Sequence, residues 1–228
     1  MTTDPSLDYY LILAGHPGAE VQGIVVETFA RHPDFTTAGL DSAGWTPTGA
    51  GWWSSASLSR SMRSDPELSA RVLPTSRSAA GDAYRTLGGG QLPVETVLRT
   101  YFHDHQPIPT VPPLRLGPAQ PPTGFHERRV YRVLFARDLR EEQVASLRAL
   151  WHSPVDTAPG SVAAGHLEKG DDQFTWDLRQ IGNRLAWCLD VTVLLGTTNA
   201  EAVAATIHEL TNVLRRHGLI PVTTERFA

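Results

Sequence analysis

One stretch governs how this chain can fold. From Gln106 to Gly124 it runs QPIPTVPPLRLGPAQPPTG. Each proline removes a backbone donor and biases the preceding residue toward extended conformations, so the stretch can be neither a helix nor an inner strand. It reads as a semi-rigid connector over residues 106–124. On that reading the chain holds an N-terminal α+β unit over residues 1–105 and a second α+β domain over residues 125–228. With 228 residues in all, either half can bury a core.

The second half is the more legible. HERRVYRVLFA, from His126 to Ala136, is rich in β-branched and aromatic residues, with Val130, Arg132 and Leu134 alternating against Tyr131, Val133 and Phe135. A helix is expected next, because Asp138 and Glu141 have capping-box spacing and Val144, Leu147 and Trp151 recur at helical intervals. FTWDLRQI and RLAWCLDVTVLL flank Gly182-Asn183, a turn dipeptide, with a short extra strand expected around Val162 to Leu167. A last helix follows from Thr198 and Glu201 as a second capping box, the stripe Val203, Ile207, Leu210 and Leu214, and Gly218 as its stop. Ile220 to Thr223 reads as an edge strand because it contains Pro221. The order strand, helix, strand, strand, helix, strand is the split-βαβ, ferredoxin-like pattern, an antiparallel sheet with two helices on one face.

The first half is expected to be α+β too, a less regular unit of similar type. DYYLILA, Asp8 to Ala14, reads as a strand. Val21, Ile24, Val25 and Thr28-Phe29 suggest a helix from about Gly18 to Arg31. Two β segments are expected within Gly39 to Ser59 around the Thr46-Pro47-Thr48-Gly49 turn. Ser59 to Gly90 is polar and glycine-rich, with only a short helix near Pro66 to Leu73. A further helix is expected within Pro93 to His103.

Formal net charge is −4, which argues against a generic nucleic-acid binder, since such a protein needs a basic face to displace counterions from phosphate. The basic residues are arginine almost throughout, with Lys169 the sole lysine, a bias that reads as bacterial GC-rich coding. Cys188 is the single cysteine, so neither an intrachain disulfide nor a thiolate metal cluster is expected. Within an apolar strand it reads as a small core residue. The N-terminus lacks a basic leader pattern and no apolar run suits a membrane span, so cytoplasmic localisation is the expectation.

Histidines supply the candidate chemistry. Gly15-His16-Pro17-Gly18-Ala19-Glu20 follows the first strand, where backbone donors can hold an anion if a helix starts there. LILAGHPGAEVQG resembles the first motif of the zinc-dependent N-acetylglucosaminyl deacetylases, whose strand ends in His-Pro-Asp-Asp-Glu. That resemblance implies zinc at His16 and a partner histidine such as His103 or His105. Only His16, Pro17 and Glu20 match, and Gly18 and Ala19 replace the ligand and base aspartates. His103-Asp104-His105 is the densest group of metal-ligand residue types, although i and i+2 point apart on a helix or strand. His166, with Tyr131, Trp176 and Trp187, is a candidate lining for a small pocket. No metal or other cofactor is expected.

No complete catalytic set can be assembled from these residues. The sequence is therefore read as a non-catalytic regulatory, ligand-sensing or partner-binding module, with a protein or small-molecule partner and an edge strand suited to homodimer pairing. The alternative is a small α+β-barrel enzyme, an oxygenase, isomerase or cyclase, acting on an apolar molecule around His166. A degenerate deacetylase-like hydrolase stands behind it.

Overall fold

The protein is α+β, with two antiparallel sheets and six helices among the residues that the computed structural model describes, 6–15, 18–109, 120–154, 160–182 and 186–227. The chain divides into two compact units. One comprises Met1–Arg31 with Ala38–Pro109, the other His32–Thr37 with Thr110–Ala228.

The first unit is built on β1 (Asp8–Leu13), β2 (Val21–Arg31) and β3 (Thr37–Trp45), consecutive antiparallel neighbours. The short β4 (Trp53–Ser54) and β6 (Gln106–Pro107) both pair with β3. On the other side β5 (Val72–Thr75) pairs with β1. Between them lie α1 (Ala56–Ser64), α2 (Pro66–Ala70), α3 (Arg77–Thr86) and α4 (Glu95–Arg99).

Residues 21–31 therefore form a strand where the apolar spacing suggests a helix. Val21, Ile24 and Val25 are β-branched, and the strand is covered on both faces over Gly23 to Glu27, so its apolar residues form a run instead of alternating. One face packs Tyr9, Leu11, Ile24 and Val26 against Ala80 and Tyr84 of α3 and Leu98 of α4. On the opposite face Glu27 is fully buried and ion-paired with Arg63 of α1. Arg63 Nη1 donates to Glu27 Oε2 at 3.1 Å and to the Ser59 carbonyl at 2.6 Å. A buried charge persists only when it is paired and hydrogen-bonded in this way.

The stretch from Ser59 to Gly90 also holds more structure than its polarity suggests. Asp65 caps α2, accepting from the Glu67 amide at 2.9 Å, and Ser76 caps α3, accepting from the Ala79 amide at 3.2 Å. Those polar residues are start signals as well as loop-formers.

The second unit carries a five-stranded antiparallel sheet in the order β11-β7-β10-β9-β8. Its elements in chain order are β7 (Glu127–Ala136), α5 (Glu141–Leu150), β8 (Ser161–Lys169), β9 (Asp172–Ile181), β10 (Ala186–Leu195), α6 (Glu201–Arg216) and β11 (Ile220–Arg226). Alternate residues of the inner strands point to one face. There Tyr131, Val133, Phe135, Phe174, Leu178, Leu189, Val191 and Val193 pack with Leu147 and Trp151 at the α5 end and Val203, Ile207, Leu210 and Leu214 of α6. The α6 stripe is the one expected, and Gly218 at φ 95° ends the helix.

Both expected capping boxes are replaced. Gln143 Oε1 accepts from the Arg140 amide at 2.8 Å, so the box starts two residues later, and the Asp138 carboxylate instead accepts from Trp187 Nε1 at 2.6 Å. At α6, Asn199 Oδ1 accepts from the Glu201 amide at 2.9 Å.

β8 lies at the sheet edge, and half of that edge is closed. α5 ends in a Schellman turn, with the Ser153 amide bonded to the Arg148 carbonyl at 3.0 Å and His152 left-handed at φ 49°. The turn sets the Ser153 hydroxyl against β8, where it donates to the Ala164 carbonyl at 2.7 Å and accepts from the Ala164 amide at 2.9 Å. Arg148 Nε donates to the Val162 carbonyl at 2.6 Å. One side chain thus makes both bonds that a neighbouring strand would make.

Candidate functional site

The face of the second sheet opposite the helices is a grid set by strand register. Across β7, β10, β9 and β8, one row runs Arg132–Asp190–Asp177–Ala164 and the next Val130–Thr192–Thr175–His166. A third row joins Leu134, Cys188 and Arg179. These are the positions between the core residues, so the strand alternation that buries one set presents the other.

A depression of about 450 Å³ lies in this face, lined by Arg128, Val130, Thr175, Trp176, Asp177, Arg179, Asp190 and Thr192. Its charges are organised around Asp190. Arg132 donates through Nε to Oδ1 at 2.7 Å and through Nη2 to Oδ2 at 3.0 Å, a bidentate pair, and Arg179 Nη2 also donates to Oδ2. The Arg132 guanidinium lies 4.8 Å from the Phe227 ring centroid. Its hydrogen bonds to Asp190 hold Arg132 above the usual arginine range despite desolvation. Burial pushes the Cys188 thiol up, with the Asp190 charge adding to it against the opposing pull of Arg132 and Arg179.

Asp177 stands differently. It sits directly across from Asp190, a like-charge cross-strand pair. Its Oδ1 is buried and meets no hydrogen-bond donor among the described residues. Burial raises its carboxyl above the usual range and Asp190 raises it further, against the opposing pull of Ser161 and Arg179.

The histidine candidates are dispersed. His16 and Pro17 lie outside the described residues. His103 and His105 are exposed residues of the first unit beyond α4. The His105 ring is hydrogen-bonded through Nδ1 to Asp41 Oδ1 at 2.9 Å and lies over Gly39, leaving no room there for a Cβ. His166 belongs to the second unit, exposed in the β8 row of the open face and not part of the depression's lining. Tyr131 and Trp187 belong to the hydrophobic core under the helices, and Trp176, which packs in that core, also lines the depression. Among the described residues no three His, Cys, Asp or Glu side chains converge to hold a metal ion.

Sequence reasoning missed Arg128, Arg132, Asp177, Arg179 and Asp190. The signal was present, because each interrupts an apolar strand at the period that faces away from the core. Only the register brings them together. Compared with known proteins, the chain matches no family model, no curated protein and no solved structure.

Proposed function

We propose that this chain is a non-catalytic, ligand-sensing regulatory module of a bacterial cytoplasmic system, and that the open face of its second sheet is the binding surface. The second unit is read as ferredoxin-like with one added edge strand. The strand order β11-β7-β10-β9, with α5 after β7 and α6 after β10, supports this, and β8 extends the sheet beyond β9.

The observation that carries the functional reading is the depression on the helix-free face, where charged side chains are held in place by one another. Groups fixed in this way recognise a ligand without rearranging. The small-enzyme alternative calls for an enclosed apolar pocket containing His166, whereas this depression is open, carries four charged side chains and leaves His166 outside.

Native mass spectrometry of the full chain, incubated in a bacterial small-molecule extract, tests the proposal. A retained adduct that is lost in Thr192→Trp, which fills the depression, is the expected outcome. An adduct unchanged by that substitution, or a bound molecule that the chain converts chemically, overturns it.

A further inference from the structure

We infer that the chain forms a reversible homodimer, in which the free half of β8 pairs antiparallel with the same segment of a second copy, centred on Leu167. The dimer stands or falls independently of what the open face binds.

The direction of the backbone groups along β8 follows from its partners. Ala164 turns both its amide and its carbonyl outward, to the Ser153 hydroxyl. Outward residues alternate along an edge strand, so His166 and Glu168 also turn their amides and carbonyls outward, while Gly165, Leu167 and Lys169 turn theirs to β9. α5 and its final turn close the row at Val162 and Ala164. Beyond that point none of the described residues bonds to the outward backbone groups of His166 and Glu168, and both residues are exposed. The other edge of the sheet is engaged. In β11 the Thr224 amide donates to Thr37 Oγ1 at 2.9 Å, and Pro221 has no amide hydrogen.

Charge and register select a second copy as the occupant. A closed two-fold dimer pairs an edge strand with itself in antiparallel fashion. Centring on Leu167 sets His166 opposite Glu168 of the other copy, twice over, and each such pair exchanges both backbone bonds. An imidazole then faces a carboxylate on the open-face side, where Glu168 has a neutral partner in its own chain, the Gln173 amide at 3.4 Å. Centring on Glu168 would set like charges face to face, and centring on His166 would call on the Ala164 groups that Ser153 already holds. On the helix side Leu167, already packed against the core, meets its own copy at the closest side-chain spacing. Lys169, the kind of residue that guards an edge, is drawn aside to Glu209 of α6, with Nζ at 3.3 Å from Oε2. Residues directly opposite point the same way, so the dimer carries both open faces on one side of a continuous sheet.

Sedimentation velocity of the full chain over a concentration series tests the pairing, with amide hydrogen exchange at both ends of the series. Reversible monomer–dimer association is expected, with the His166 and Glu168 amides protected only where the dimer is populated. His166→Pro removes an outward donor without touching the bonds to β9, so it should weaken dimerisation about tenfold or more and leave the monomer's thermal melt near that of the wild type. His166→Glu sets two carboxylates face to face and should also weaken it, whereas His166→Glu/Glu168→Arg should restore it. A chain that stays monomeric at every concentration overturns the inference. So does a dimer that His166→Pro leaves as tight as the wild type, or one whose His166 and Glu168 amides exchange as fast as in the monomer. If His166→Pro fails to fold, the exchange measurement on the wild type decides alone.

Discussion

Ser153→Ala removes one hydroxyl and should reopen the β8 edge at Ala164. In the native protein that hydroxyl serves both the amide and the carbonyl of Ala164, at 2.9 and 2.7 Å. Each such bond is worth about 0.5–1.5 kcal/mol net, so losing both costs about 1–3 kcal/mol. The bonds are part-buried, and water can replace some of what is lost, which favours the lower half of that range. Urea unfolding followed by tryptophan fluorescence measures the total, and amide hydrogen exchange localises it. The Ala164 amide should lose protection while Val191, in the sheet centre, keeps it. Because a longer stretch of edge can then pair with another chain, sedimentation velocity should show association at lower concentration than in the wild type. An unchanged urea midpoint with Ala164 still protected would refute the argument, since the edge would then be closed by something other than this side chain.

Three further outcomes follow from the same geometry. Glu27→Gln leaves the Arg63 cation buried without its partner and should cost about 3–5 kcal/mol in urea unfolding, much of it recovered in Glu27→Gln/Arg63→Met. The folded-state pKa of Asp177 is raised by burial, so its contribution to stability is present below the unfolded carboxylate pKa and lost as pH rises through the folded value. Asp177→Asn should therefore be more stable than wild type at neutral pH, with the gain vanishing in acid, as thermal melts across pH can show. Gly165→Ala would place a Cβ within 2.5 Å of the Trp176 ring, which packs edge-on against Trp151 at 5.9 Å, and should lower stability by about 1–3 kcal/mol with a shift in tryptophan fluorescence.

The legible parts of the sequence were those where one face is buried and the other is wet. α6 shows its stripe and its glycine stop, and β7 from Tyr131 and β10 from Leu189 alternate in burial, so their type and order could be read directly. β2 failed the same test because helices on both sides of its sheet bury it on both faces, which erases the alternation that marks a strand. α1 and α3 were hidden by serine, arginine and an internal Gly81, and tertiary packing of Met62, Ala80 and Tyr84 stabilises what propensity alone would not. The candidate site was the hardest part. Histidine was the residue type that drew attention, whereas the face is made of Arg and Asp, individually commonplace, and acquires meaning only when β7, β9 and β10 lie side by side.

The position of β7 also sets a timetable for assembly. β8, β9 and β10 form a meander, each pairing with its neighbour in sequence, and short loops close quickly. β7 has no such neighbour. It pairs Phe135 with Trp187 on one side and Ala136 with Ile220 on the other, so both partners arrive long after it is made. Such distant pairing is slow because loop entropy is lost before contacts compensate for it. The meander should form first and wait with Trp187, Leu189 and Val191 uncovered, and the Arg132–Asp190 pair, which spans β7 and β10, belongs to the last step. On this view the β9 and β10 part of the charged face is laid down with the meander, and Arg128 and Arg132 complete it only when β7 docks.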